Sequence, residues 1–201
     1  MDFAMSSEDG SISRRMNIKL RNVCLLLAAV SLQAVAEGDG LETERWQAAI
    51  DAASAKGGGV VTIPAGRHLT GQLYLRNGVE IHLEAGAILE GAVGLHNYVV
   101  HNLPFSEGTM SAVVMGLGVT NVAITGTGEI FGNGAAFERV RTVGGCEEGF
   151  RPRGVFIGDS NGVRLEDFTL RDAACWGIVI QRCDGVVARR VKVDSVVNLN
   201  N

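Results

Sequence analysis

Apolar residues recur at helical spacing in one strong stretch of the chain. In LETERWQAAIDAASAK (41–56), Trp46, Ile50 and Ala53 fall on one face at steps of four and three. The pattern predicts a helix there, with Asp39 as its cap, Glu42 as capping-box partner and GGG at 57–59 as its stop. Beyond it the pattern becomes short alternating runs broken by glycine and asparagine. GGVVTIP, GQLYL, GVEIHL, GAILEG, SAVVMG, NVAITG, GEIFG, GVFIG, GVRLEDFTL, WGIVI and GVVARRVKV follow in order. In VEIHL the alternation turns Val79, Ile81 and Leu83 inward and Glu80 and His82 outward.

Several runs open on Asn, Asp or Gly before valine. Gly78-Val79, Asn121-Val122, Gly162-Val163 and Gly185-Val186 are separated by steps of 43, 41 and 23 residues. Two steps near twice 21 and one of 23 predict a repeat of roughly 21 to 23 residues, the mark of a solenoid. The leucine-and-asparagine pattern of leucine-rich repeats is absent and valine dominates, which favours a parallel β-helix. Each coil would carry two or three short strands, and coils would stack about 4.8 Å apart with apolar ladders inside. An open first coil exposes strand edges, and the helix at 41–56 is placed to cover them with Trp46 and Ile50.

Composition supports this picture. The 201 residues make a one-domain length, and 46% hydrophobic against 20% charged residues permits a core. Glycine is abundant, at 27 residues against three prolines, as many tight turns require. Residues 19–36, KLRNVCLLLAAVSLQAVA, read as a secretion signal, with Lys19 and Arg21 before an apolar run and Ala34-Val35-Ala36 as the cleavage pattern. The run is shorter than the about 20 residues of a membrane span. Residues 1–36 are therefore expected to be a leader, with Met16 as the favoured start. The alternative is a twin-arginine signal on Arg14 and Arg15, which lacks the usual aromatic residue where Asn17 stands. Residues 37–201 form the remaining domain, expected in the periplasm or outside the cell. That part holds 14 basic against 19 acidic side chains with no block of like charge, which disfavours nucleic acid and membrane surfaces as partners.

Cys24 leaves with the leader, so Cys146, Cys175 and Cys183 remain. Cys175 and Cys183 flank one extended run of about 26 Å and cannot bridge unless that strand is broken. Pairing of Cys146 with either stays open, and buried free thiols are the simpler reading. His68, His82, His96 and His101 have no metal-site spacing, so neither metal nor cofactor is expected.

Three stretches carry a family resemblance: WQAAIDAASAKGGGVVTIPAGRHLTGQLYLRNGVEIHLEAGAILEG, RPRGVFIGDSNGVRLEDFTLRDAACWGIVIQRCDGVVARRVKV, and VVNLNN at the end. Together they resemble glycoside hydrolase family 28, the polygalacturonase-type pectinases, from about Asp39 to Asn201. The resemblance implies a right-handed parallel β-helix of the pectin lyase-like kind, here incomplete at its C-terminal end. It also implies an exported, monomeric hydrolase that cleaves α-linked galacturonic acid bonds in pectic polysaccharide or oligogalacturonide with inversion. Inversion needs an acid and a base roughly 6.5 to 9.5 Å apart. In the family an Asn-x-Asp-Gly turn supplies the first catalytic aspartate. Asn200 and Asn201 match its first two positions, so no catalytic residue is expected within this chain and the chain alone is expected to be inactive.

Other residues offer supporting roles. Asp194 precedes the matched turn. Arg139, Arg141, Arg151 and Arg153 cluster in FERVRTVGGCEEGFRPR, where they either pair with Glu147 and Glu148 or meet a polyanionic sugar at a cleft edge. His96 and His101, in GLHNYVVHNLP, are either substrate contacts or surface residues. Asp167, Asp172 and Asp184 read as turn residues, and Trp176 as a side chain in the stack or at its corner. Val179 stands where many family members carry histidine. Two alternatives remain: a calcium-dependent polysaccharide lyase on the same fold, and a non-catalytic adhesive or polysaccharide-binding β-helix.

Overall fold

The computed structural model describes residues 40–106, 109–137, 141–142, 145–146 and 151–197. The leader, Asp39, Arg139, Asn200 and Asn201 lie outside the described residues.

Helix α1 spans Thr43–Ala55 and buries Trp46 and Ile50, with Ala53 packed beside them. Glu42 occupies its N-cap without a side-chain cap bond. The expected capping box gives way to a different use of that carboxylate: it accepts from Arg45 at 2.5 Å and meets His68 Nδ1 at 3.0 Å, tying the helix start to the first coil. Gln47 strengthens the tie. Its amide accepts from the backbone N–H of Tyr74 at 2.7 Å and donates to the carbonyl of Tyr74 at 3.1 Å.

The chain then winds through coils of the same plan. The first carries β1 (Gly59–Ile63), β2 (Gly66–Thr70) and β3 (Leu73–Tyr74). The second carries β4 (Val79–Leu83), β5 (Ala87–Gly91), a small antiparallel hairpin of β6 (His101–Asn102) and β7 (Thr109–Met110), and β8 (Ala112–Leu117). The third carries β9 (Thr120–Gly126), β10 (Glu129–Phe131), a second hairpin of β11 (Arg141–Thr142) and β12 (Gly145–Cys146), and β13 (Arg153–Gly158). The fourth has β14 (Asn161–Glu166), β15 (Thr169–Arg171) and β16 (Ile178–Gln181), and β17 (Asp184–Arg189) and β18 (Lys192–Asp194) begin a fifth. Three parallel sheets result: sheet I (β1-β4-β9-β14-β17), sheet II (β2-β5-β10-β15-β18) and sheet III (β3-β8-β13-β16). The fold is a parallel β-helix.

Alternation explains the core. Val61, Ile81, Ile124 and Leu165 stack in register along sheet I, and Leu73, Val114, Val155 and Ile178 along sheet III. The column of heads is also real: Val122, Val163 and Val186 pair in register, each preceded by a residue with positive φ (Asn121, Gly162, Gly185). The repeat length needs correcting, however. β4 pairs directly with β9, and β9 with β14, so the steps of 43 and 41 residues are single coils. The basic coil is near 20 residues, as Gly59 opposite Val79 shows. The extra length is inserted between sheets II and III, as residues 92–111 and 132–152.

Two predicted runs are also broken. GVRLEDFTL turns at Asp167 (φ 71) and GVVARRVKV at Arg190 (φ 53), each forming the corner between sheets I and II. The guanidinium of Arg190 donates from Nε and Nη2 to the Asp167 carboxylate at 2.5 and 3.1 Å, binding one corner to the next. Strand β2, GRHLT, was not predicted, because His68 occupies a core position that the apolar pattern does not mark. Cys175 is buried, Cys183 is half-buried, and both are free thiols. No helix among the described residues is long and apolar enough to cross a membrane.

Candidate functional site

The outward positions of sheet III are apolar and covered. Tyr74, Met115, Phe156 and Val179 stack in register on the face turned away from the core. Leu103 and Phe105 from the 92–111 insert and Trp176 from the β15–β16 connection pack onto this column. The inserts that lengthen the second and third coils therefore join the helix at the border of this sheet. Phe105 is held close because Gly158 lies beneath it: a Cβ at Gly158 would come within 3.2 Å of the ring.

A polar group borders the column at the first coil. The hydroxyl of Tyr74 meets His101 Nε2 at 3.0 Å, and the Gln72 amide nitrogen meets the same atom at 3.3 Å. The His101 and Tyr74 rings pack edge to face at 5.8 Å. Burial pushes the Tyr74 hydroxyl's pKa above its usual range. His96 is exposed in a short 3₁₀ turn (Leu95–Asn97), and among the described residues the hydrogen-bond partners of the His101 ring are Tyr74 and Gln72. The two histidines do not form one site.

Arg151 and Arg153 are enclosed. Arg153 is only 1% exposed and lies over the Trp176 ring at 5.2 Å, which places Trp176 at the coil corner, half-buried. Arg151 is 4% exposed and donates to the carbonyl of Ala174 at 2.7 Å. Arg141 lies in the β11–β12 hairpin. Asp194 belongs to sheet II, where Lys192 Nζ donates to it at 3.0 Å.

On sheets I and II the outward carboxylates form ladders with arginine. Arg164 bridges Glu80 at 2.5 Å and Glu166 at 2.8 Å, and Arg189 reaches Glu166 at 2.6 Å. Thr125 donates to Glu80 and is met by His82, which faces outward as the alternation predicts. A shallow groove of about 370 Å³ runs along this face past Glu80, Asn121 and Arg164. On sheet II, Arg171 pairs with Glu129 at 2.6 Å and stacks on Phe131 at 4.0 Å, with Arg67 on the same ring at 5.9 Å. Hydrogen bonds from Arg164 and then Arg189 hold the Glu166 carboxyl below its usual pKa, and Arg190 does the same for Asp167. Carboxylates tuned this way stay ionised, the opposite of what a general acid needs. Among the described residues, no group of three His, Cys, Asp or Glu side chains could hold a metal ion.

Sequence reasoning missed Gln72, Tyr74, Phe105, Gln181 and Arg182 as residues of the sheet III face. Period-2 alternation in GQLYL and WGIVIQR did mark Tyr74 and Gln181 as outward, but nothing in the pattern distinguishes a covered outward face from a solvated one.

No family model matches the chain. It is 27% identical over 161 residues to a probable polygalacturonase of Vitis vinifera, a match covering 74% of this chain and 33% of that protein. The chain thus spans about a third of the length of the curated relative it matches. Its structure is similar to a family 28 exopolygalacturonase of Yersinia enterocolitica, with TM-score 0.68 and 25% identity, covering 84% of this chain and 38% of that one. An exopolygalacturonase of Thermotoga maritima shares the fold, with TM-score 0.67 and 22% identity over 82% of this chain and 46% of that one.

Proposed function

We propose that this chain is the N-terminal part of an exported family 28 glycoside hydrolase that cleaves α-linked galacturonic acid bonds in pectic polysaccharide with inversion. The 161-residue match to a polygalacturonase, which covers 74% of this chain, carries the reading. The similarity to a family 28 exopolygalacturonase supports it. Inverting chemistry needs a protonated carboxylic acid beside the leaving oxygen and a carboxylate that activates water on the opposite side. Glu80, Glu129, Glu166 and Asp167 on the outer faces are ion-paired acceptors, so this proposal assigns the catalytic pair to residues outside the described ones, starting from the sequence match at Asn200 and Asn201. Residues 1–201 alone then release no reducing ends from polygalacturonan.

The test is a protein carrying this chain together with the sequence downstream of codon 201. Incubated with polygalacturonan, it is expected to release reducing ends whose first-formed anomer is inverted. A product with an unsaturated, ultraviolet-absorbing ring and a calcium requirement would identify a lyase instead. Binding without any cleavage would identify a non-catalytic polysaccharide-binding β-helix. Export by residues 1–36 is part of the same proposal, and fractionation of the producing cell checks it: mature protein is expected outside the cytoplasm, beginning near Glu37.

A further inference from the structure

Both ring nitrogens of His68 face acceptors. The ring is buried on the inner side of β2, with the residue 8% exposed. Its Nε2 lies 3.0 Å from the carbonyl oxygen of Pro64, between β1 and β2, and its Nδ1 lies 3.0 Å from Oε1 of Glu42, at the N-cap of α1. A backbone carbonyl only accepts, so Nε2 carries a hydrogen. A neutral imidazole of that form has a bare lone pair at Nδ1, and here it would point at a carboxylate oxygen. Two acceptors facing each other out of water are costly, so the contact calls for one more proton between Nδ1 and Oε1. Arg45 donates to the other oxygen, Oε2, at 2.5 Å, which favours a carboxylate with the proton on the ring.

The groups around the ring leave that proton to this pair. From α1 come Glu42, Arg45 and the Trp46 ring, the last edge to face at 5.2 Å. From β5 comes Leu89, opposite His68 in the ladder. Arg67, its neighbour on β2, is exposed and pairs with Glu90. Two further bonds at the helix start are indifferent to pH. The N–H of Glu42 donates to the Leu69 carbonyl at 2.7 Å, and the Thr43 hydroxyl accepts from the N–H of Gly71 at 2.7 Å. Among the described residues, the His68–Glu42 contact is the one between the helix start and β2 that a proton controls.

We propose that the pair is a proton lock on the N-terminal cap: the start of α1 is held to the first coil while His68 is an imidazolium, and its first turn loosens when that proton leaves. An unfolded glutamate takes up a proton at about pH 4.3, and an unfolded imidazole gives one up at about pH 6.5. Between those values the unfolded chain already carries the charges that the lock uses, so its stabilisation is fully present. Above about pH 6.5 the folded pair keeps a proton that the unfolded chain has lost, and the stabilisation declines until the folded pair releases it too. Below about pH 4.3 the carboxylate half of the pair is lost in the same manner. The lock is closed in mildly acidic surroundings and opens toward alkaline pH. It guards the apolar face of α1, where Trp46 and Ile50 are buried over the first coil, and a loosened first turn uncovers Trp46 before Ile50.

The experiment is hydrogen exchange of the α1 amides in the protein carrying the full chain, read by mass spectrometry from pH 6 to pH 9. Glu42→Gln is run beside it at each pH, so that the intrinsic pH dependence of exchange cancels in the ratio. The side-chain amide of that variant donates to a bare Nδ1, so its helix start needs no extra proton. At pH 6 the parent's helix is expected to be at least as protected as the variant's. By pH 9 the parent's opening is expected to rise about tenfold relative to the variant, the scale of one charge-assisted bond. A ratio that stays within about twofold across the range overturns the lock. If Glu42→Gln does not fold, the ring nitrogen resonances of His68 in the parent decide the matter. Both nitrogens are expected to carry hydrogen at pH 7, above the point where an unfolded imidazole is half deprotonated, and a bare Nδ1 at that pH overturns the proposal.

Discussion

Gly126 closes β9 where the coil turns from sheet I to sheet II, and its replacement by alanine should be among the costliest single-methyl changes in the chain. Its φ is +97, and a Cβ there would stand 2.0 Å from the Leu83 carbonyl oxygen and within 3 Å of that residue's nitrogen and carbonyl carbon. All three are backbone atoms of the coil below, so no side chain can swing aside. The backbone conformation alone costs an alanine about 1–2 kcal/mol. Relief of the clash requires the two coils to part locally. That weakens the bond from Gly128 N–H to the Leu83 carbonyl, now 3.2 Å, and the neighbouring ladder bonds, at about 1 kcal/mol each. The total is about 3–5 kcal/mol, a large share of the 5–15 kcal/mol typical of a domain. Gly118→Ala is the matched control: φ is +60 there, and a Cβ would meet nothing within 4 Å, so only the backbone cost of about 1 kcal/mol applies. Urea unfolding followed by the fluorescence of buried Trp46 distinguishes them. With a slope of about 2 kcal/mol per molar urea, Gly126→Ala should lower the midpoint by about 1.5–2.5 M and Gly118→Ala by about 0.5 M. Equal midpoints for the two variants would refute the close coil approach.

Other outcomes follow from the same structure. Gln47→Ala removes both side-chain bonds to the Tyr74 backbone and should cost about 1–3 kcal/mol by leaving that N–H buried without a partner; Trp46 emission should shift if the helix loosens, and an unchanged melt would contradict the tie. Ile81→Ala opens a cavity in the sheet I ladder and should cost about 2–5 kcal/mol in the same urea assay; a loss below 1 kcal/mol would show that the stack collapses to fill it. Glu166 has its pKa lowered by Arg164 and Arg189, so its contribution is present above the unfolded carboxylate value and is lost as pH falls through the lowered folded value. Glu166→Gln should therefore flatten the acid limb of stability against pH, and an identical acid limb would exclude that network as its source. Among the described residues, strands β17 and β18 each pair on one side only and expose Val186, Val187 and Val193, so the purified chain should self-associate through that edge. Val186→Lys with Val193→Lys should shift it toward monomer by light scattering, and unchanged particle size would place the contact elsewhere.

The coil architecture was legible because inward positions alternate and each coil opens on the same turn. VEIHL, NVAITG and GVRLE stack in the register that their shared heads imply. The step length misled because an insert of about one coil's length makes one coil look like two. Asp167 was legible as a turn residue, but the corner at Arg190 hid for a different reason: arginine rarely adopts a left-handed backbone, so nothing local announces the turn, and the ion pair that holds it joins residues 23 positions apart. The site was less legible. His101 was singled out, but its partners Tyr74 and Gln72 come from the coil before it, and Arg151 and Arg153, read as loop cations, are buried. Contacts between coils depend on the winding itself, which alternation within a strand does not encode.

The placement of the inserts bears on how such a chain can change over generations. Each coil leaves sheet II and enters sheet III through a single port, filled by residues 71–72 in the first coil, 92–111 in the second, 132–152 in the third and 172–177 in the fourth. Lengthening a connection whose ends are already fixed costs only about 0.6 kcal/mol per doubling. Variation at this port is therefore thermodynamically cheap, while a residue added at the corner between sheets I and II would shift every ladder beyond it. Drift in length is channelled to one border of one face, so the chain can diversify what that face meets while its spine stays unaltered.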